Sequence, residues 1–158
     1  MITGLSAWRF EPAGPAAGDA MAELHRHCFA TPWSSKEFTA LLHQSTSQAE
    51  LAWSGRILAG LSLFRLAVDE AEVLTICTHP DQQGRGLASK LLDVSESRAE
   101  AAGIGRIILE VSTANFAARR VYDRAGYSEI ACRKAYYSDG TDALILEKIL
   151  REDGHRPG

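Results

Sequence analysis

The stretch Val73–Leu92, VLTICTHPDQQGRGLASKLL, could hold a phosphate. Val73–Thr78 is apolar and β-branched, the pattern of a strand, and His79-Pro80 closes it because proline has no backbone donor. Gln82–Gly86 is a polar turn with two glycines. Beyond Leu87, apolar and small residues recur at helical spacing: Ala88, Leu91, Leu92, Ser95, Ala99 and Ala102. Glycines let the backbone approach a ligand closely, and the first N–H groups of a helix lack intrahelical partners. Two familiar nucleotide loops fit badly. Gly84–Ser89 gives only G-x-G-x-x-S, short of a dinucleotide fingerprint, and a Walker loop ends in Gly-Lys-Ser/Thr where this chain has Ser89-Lys90.

Glu110 is the second chemical candidate. It interrupts the apolar run RIILEV, where an unpaired carboxylate is costly, so it suits a base that takes a proton. Glu72, on a neighbouring predicted strand, is its reserve. His25, His27 and Cys28 are close in sequence, but positions two apart on a helix do not face each other, so no metal site is expected. Cys28, Cys77 and Cys132 are far apart with no C-x-x-C, which argues for free thiols in a reducing cytoplasm.

The elements that must position these groups follow from pattern. Strands are expected at Ser6–Glu11, Glu50–Trp53, Ile57–Ala67, Val73–Thr78, Arg106–Val111, Tyr127–Lys134 and Ala143–Ile149. Helices are expected over Ala17–Phe29, from a Ser34/Glu37 capping box to about His43, from Leu87 to the glycines at 103 and 105, and over Asn115–Arg124. The order is strand, two helices, three strands, helix, strand, helix, two strands. That is an α+β domain built on one mixed, mostly antiparallel sheet of about seven strands with about four helices. Residues 1–150 read as one domain and 151–158 as a flexible tail.

The chain has 158 residues, 46% hydrophobic and 23% charged, with a net charge of −3, which suits one ordinary globular core. That charge gives no footprint for direct nucleic-acid binding, although Arg119-Arg120 and Arg133-Lys134 are local basic patches. No apolar run approaches a membrane span, and the N-terminus lacks a signal layout, so a cytoplasmic protein without a membrane partner is expected.

These segments resemble the GNAT N-acetyltransferases. Gln83-Gly84-Arg85-Gly86-Leu87-Ala88 is similar to the Q/R-x-x-G-x-G/A signature whose loop binds the pyrophosphate of acetyl-coenzyme A. From about Trp8 to Leu150 the resemblance narrows to the RimI branch, which acetylates the N-terminal alanine of a ribosomal protein. It rests on Pro32-Trp33-Ser34, Asp69-Glu70-Ala71, Leu109-Glu110-Val111, Asn115 with Ala117-Ala118, Tyr122, Gly126-Tyr127, and Arg133–Tyr137 before an Asp-Gly turn. The resemblance implies a GNAT fold and acetyl-CoA as co-substrate, with no metal. Backbone groups of Ile76, Cys77 and Thr78 would pair with pantetheine, and one N–H would polarise the thioester. Gly84, Arg85, Gly86, Leu87, Ala88 and Ser89 would hold the pyrophosphate, and Asn115 would reach the pantetheine.

By the same resemblance Glu110 is the base, directly or through a water, and Tyr122 the acid beside the thioester sulfur. Tyr136 and Tyr137 would close a wall over the acceptor's first residues. Cys77 as an acetyl carrier is discounted, because a strand cysteine is most often buried and inert. An N-terminal amine, with pKa near ~7.8, is about a quarter neutral at pH 7.4, against about a thousandth for lysine near ~10.4, so an α-amine asks little of its base. The expected partner is a ribosomal protein's N-terminus, met by a monomer or weak oligomer. A lysine side chain, a small-molecule amine, or a non-catalytic CoA sensor are the rival readings.

Overall fold

A computed structural model of the protein describes residues 8–151. Its strands are β1 (Trp8–Ala13), β2 (Ser47–Ser54), β3 (Ile57–Ala67), β4 (Glu70–Thr78), β5 (Arg106–Ser112), β6 (Ser128–Arg133) and β7 (Ala143–Ile149). Its helices are α1 (Gly18–Cys28), α2 (Ser35–Leu42), α3 (Leu87–Ala101) and α4 (Phe116–Arg124). The strands form one seven-stranded sheet in the order β1-β2-β3-β4-β5-β7-β6, antiparallel except where β4 meets β5. The expected succession of elements and the single mixed sheet are both found. Among the described residues no helix is long and apolar enough to cross a membrane.

Some boundaries differ for physical reasons. β1 continues through Pro12 to Ala13, past the expected end at Glu11. Pro12 lies opposite Glu50 on an edge strand, which tolerates a missing donor. β2 starts at Ser47 because it follows β3 back as far as Arg65. The expected strand residues Ser6 and Ala7 and all of the tail after Arg151 lie outside the described residues. The capping box forms as expected, with Glu37 N–H donating to Ser34 Oγ at 3.1 Å and Ser34 N–H to Glu37 Oε1 at 3.0 Å.

Between α3 and the sheet lies the region that sets the site. α3 buries Leu87, Leu91, Leu92, Ser95, Glu96 and Ala99, so its inward stripe starts one residue before Ala88, and Ala102 is left exposed. Gly60 of β3 lets the helix come close: a Cβ there would stand 3.3 Å from both Leu87 and Leu91. Polar groups also cross this interface. Ser62 and Ser95 hydroxyls lie 2.7 Å apart, Gln48 Nε2 donates to the Ser95 carbonyl at 3.0 Å, and the fully buried Glu50 pairs with Arg98.

The sheet is held across its middle at one end only. β4 and β5 pair over Glu70–Arg106, Ala71–Ile107 and Glu72–Ile108, and then separate. Arg106 ties this base together, reaching Glu70 on one side at 2.8 Å and Glu147 on the other at 2.6 Å. Just beyond the last pair, Leu63 and Phe64 of β3 face Thr75 and Val73, so Leu74 is an extra residue in β4. A bulge bends and twists its strand, which carries β4 away from β5.

Candidate active site

The opening between the two strands is a cleft of about 910 Å³, floored by β4 and β5 and walled by the Gln82–Ser89 loop and α4. His79 N–H donates to the Ala59 carbonyl at 2.7 Å. Peptide groups alternate sides along a strand, so Cys77 turns its backbone toward β3, whereas Ile76 and Thr78 turn theirs toward the cleft. The Thr78 carbonyl accepts from Cys28 Sγ and Gln83 Nε2, each at 3.4 Å. An unpaired strand edge of this kind can take an extended ligand carrying amides.

At one end of the cleft the chain turns through Gly84 (φ +77°) and Gly86 (φ +84°), a conformation that favours glycine, and enters α3. Gly86 is the N-cap and offers no side-chain acceptor, and the first intrahelical bond starts at Lys90 N–H. The N–H groups of Leu87, Ala88 and Ser89, all lining the cleft, therefore have no intrahelical partner. Free N–H groups at a helix start suit an anion. Arg85 does not line it. Its guanidinium donates to Gln82 Oε1 at 2.8 Å and lies 5.4 Å over the Trp8 ring.

Along the middle, α4 presents Asn115 and Tyr122. Asn115 caps the helix, its Oδ1 accepting from Ala118 N–H at 3.2 Å, so its amide nitrogen is the group left for a ligand. Tyr122 is 6% exposed and packs edge-on to Tyr127 with ring centres 5.6 Å apart. Burial pushes its hydroxyl up to about 12. Among the described residues its hydroxyl has no hydrogen-bond partner.

The far end holds Glu110 and Tyr137. Ile107, Leu109 and Val111 are buried, whereas the Glu110 side chain is 33% exposed, with Arg133 a loose 3.8 Å away. Burial, then the charge of Glu110, then Tyr136 raise the Tyr137 hydroxyl above the usual phenol value. Tyr137 is carried on the β6–β7 connection, which Asp142 braces by accepting from Ala135 N–H at 2.8 Å and Lys134 Nζ at 3.3 Å. Thr113 N–H donates to the Asp142 carbonyl at 3.0 Å, which fixes the connection to the end of β5.

The family model of the acetyltransferase (GNAT) family matches residues 18–127. This chain is a GNAT acetyltransferase. The [ribosomal protein bS18]-alanine N-acetyltransferase of Escherichia coli K12 is 31% identical over 130 residues, covering 80% of this chain and 87% of that one. A putative enzyme of the same description from Bacillus subtilis is 27% identical over 136 residues, covering 85% and 90%. The crystal structure of the E. coli ribosomal-protein-S18-alanine N-acetyltransferase superposes with a TM-score of 0.87 at 25% identity, covering 96% of this chain and 99% of that one. The protein is thus an acetyl-CoA-dependent N-acetyltransferase of RimI type, an enzyme rather than a sensor.

In this GNAT enzyme the cleft gathers Ile76, Cys77, Thr78, Gly84, Gly86, Leu87, Ala88, Ser89, Glu110, Asn115, Tyr122 and Tyr137. Arg85 and Tyr136 are outside its lining. Tyr136 is 48% exposed and lies under the Arg133 guanidinium at 5.4 Å. Glu72 also stays out, paired with Arg65 at 2.7 Å. Sequence reasoning missed Cys28, which contacts Cys77 and the Thr78 carbonyl, and Phe29, which lines the cleft. The contact between thiols comes from packing α1 on β4, and no local pattern signals it. His25 was set aside as a ligand; its Nδ1 accepts from Trp33 N–H at 2.9 Å, so Nε2 carries the proton toward Thr75 Oγ1 at 3.0 Å.

Proposed function

We propose that this enzyme acetylates the N-terminal α-amine of a ribosomal protein, with alanine as the favoured first residue. The observation that carries this reading is the 31% identity with the E. coli bS18-alanine enzyme over most of both chains. Acetyl-CoA supplies the activated acetyl group. The cleft-facing peptide groups of Ile76 and Thr78 bind its pantetheine arm, the free N–H groups of Leu87–Ser89 bind its pyrophosphate, and the Asn115 amide adds a contact along the arm.

Glu110 takes the proton of the attacking amine, directly or through one water, as the C–N bond forms. A cleft-facing N–H of β4 stabilises the oxyanion. When the C–S bond breaks, Tyr122 donates a hydrogen bond to the sulfur. Full proton transfer from a phenol near 12 to a thiolate whose acid has pKa ~8.5 would be uphill by about 5 kcal/mol, so hydrogen bonding is the step this residue can perform. Tyr137, beside Glu110, stands where the acceptor's first side chain would lie. A larger side chain against that wall would be penalised by about 1–3 kcal/mol.

A peptide carrying both an N-terminal alanine and an internal lysine tests the reading. Incubation with acetyl-CoA followed by fragment-ion mass spectrometry should place the acetyl group on the α-amine, with weaker labelling when a bulky residue comes first. Acetyl groups found mainly on lysine would refute the acceptor assignment and leave the acetyltransferase chemistry standing.

A further inference from the structure

Arg120 and Arg124 are the two cationic residues that line the cleft among the described residues. They lie one turn apart on α4, so their side chains share a face of the helix. Both are exposed, and among the described residues neither makes an ion pair or a side-chain hydrogen bond. Most other arginines among the described residues are committed: Arg9, Arg26, Arg65, Arg98, Arg106 and Arg133 each have an acidic partner. The cation of the phosphate loop itself, Arg85, is turned to Trp8 and Gln82. Two like charges at this spacing on a helix repel each other, and the nearby Asp123 does not neutralise them within ion-pair distance.

Within the acetyl-CoA reading above, the seat of Leu87–Ser89 N–H groups deals with the pyrophosphate through neutral donors. Coenzyme A has one more anionic group, the 3′-phosphate monoester of its ribose, which carries close to two negative charges at neutral pH. A group of that charge calls for cations, and guanidinium suits it because its paired N–H donors match phosphate oxygens. We propose that Arg120 and Arg124 form the subsite for the 3′-phosphate of acetyl-CoA, and so make this enzyme discriminate coenzyme A from its dephosphorylated form. The two walls of the cleft divide the labour: the loop and α3 take the pyrophosphate, and α4 takes the ribose phosphate.

The test is isothermal titration of the full-length protein with acetyl-CoA and with 3′-dephospho-acetyl-CoA. The unmodified protein should bind acetyl-CoA about ten- to a hundred-fold more tightly, the range of one or two charge-assisted hydrogen bonds, and the ratio should shrink with added salt. In the Arg120→Gln/Arg124→Gln double variant the ratio should fall to about one, with the affinity for the dephospho form unchanged. Glutamine keeps helix propensity at exposed positions, and circular dichroism checks the fold. Equal binding of the two nucleotides by the unmodified protein overturns the proposal without any variant. So does an equal loss for both nucleotides in the double variant, which would move the arginines to the pyrophosphate. Failure of the unmodified protein to bind either nucleotide would remove the acetyl-CoA reading of the cleft itself, and the subsite with it.

Discussion

Tyr122 and Glu110 lie on different elements and have different parts in the proposed mechanism. Tyr122 is buried among apolar groups with a hydroxyl at about 12, so it stays protonated near neutral pH, as the donor role proposed for it requires. Tyr122→Phe keeps the ring and its packing on Tyr127 and removes only the donor. It should lower kcat by roughly ten- to a thousand-fold with little change in acetyl-CoA affinity, measured by steady-state kinetics beside titration calorimetry. Glu110→Gln should lower the rate as well, with a different signature. As pH rises the amine loses its proton unaided, so the deficit should narrow toward alkaline pH. A pH–rate profile of the chemical step parallel to the parent's would show that the base lies elsewhere. Glu110 stood out in the sequence because a charge inside RIILEV needs a reason, and Tyr122 through family resemblance; both line the cleft. Arg85 was legible only as a loop cation. Its direction is set by Trp8 and Gln82, and nothing local to GRG says so.

Elements were the easier part, because apolar periodicity and turn residues act locally. Ile57–Ala67 and Ala143–Ile149 have the bounds expected from pattern alone. The bulge at Leu74 was not visible, since a bulge is a relation between two strands, and VLTICT reads as one uninterrupted run. The β6–β7 connection was legible as a Ser-Asp-Gly turn, but its bracing was not. Asp142 holds it by accepting from the Ala135 N–H and from Lys134, and these contacts keep its carboxyl below the usual range. Asp142→Ala should therefore loosen the wall that carries Tyr137, raising KM for the acceptor peptide by roughly ten-fold while acetyl-CoA binding is kept. The pH effect has a definite sign. A lowered pKa in the folded protein stabilises the connection above the ordinary carboxylate pKa of ~3.9, and that contribution is lost as pH falls through the lowered value. Amide chemical shifts of residues 134–142, followed by NMR to acid pH, would report it.

Across the whole molecule, the half-sheets meet through the short β4–β5 seam and through α3. The Glu50–Arg98 pair fastens α3 to β2, with the glutamate side chain 1% exposed and the arginine 43%. Burial raises the Glu50 pKa even with the guanidinium beside it. Arg98→Met would strand a buried carboxylate and should destabilise the protein by about 2–3 kcal/mol at neutral pH in urea unfolding. A raised folded-state pKa means that protonating Glu50 favours the folded form, a contribution present at low pH and lost as pH rises through the raised value; removing Arg98 takes away the cation that offsets burial of the ionised form. The variant's deficit should thus shrink as the pH is lowered and Glu50 becomes neutral.

The free edge of β4 has a kinetic consequence. If acetyl-CoA completes the sheet there, the released coenzyme A keeps every one of those bonds, because acetyl transfer alters only the sulfur's substituent. Only the contact to the acetyl oxygen separates the loaded donor from the spent one, a small part of what holds either. Coenzyme A should then inhibit competitively against acetyl-CoA, with an inhibition constant within about ten-fold of the donor's Kd. Turnover would follow the ratio of the two forms in the surrounding pool, and progress curves with and without a CoA-consuming trap would show it.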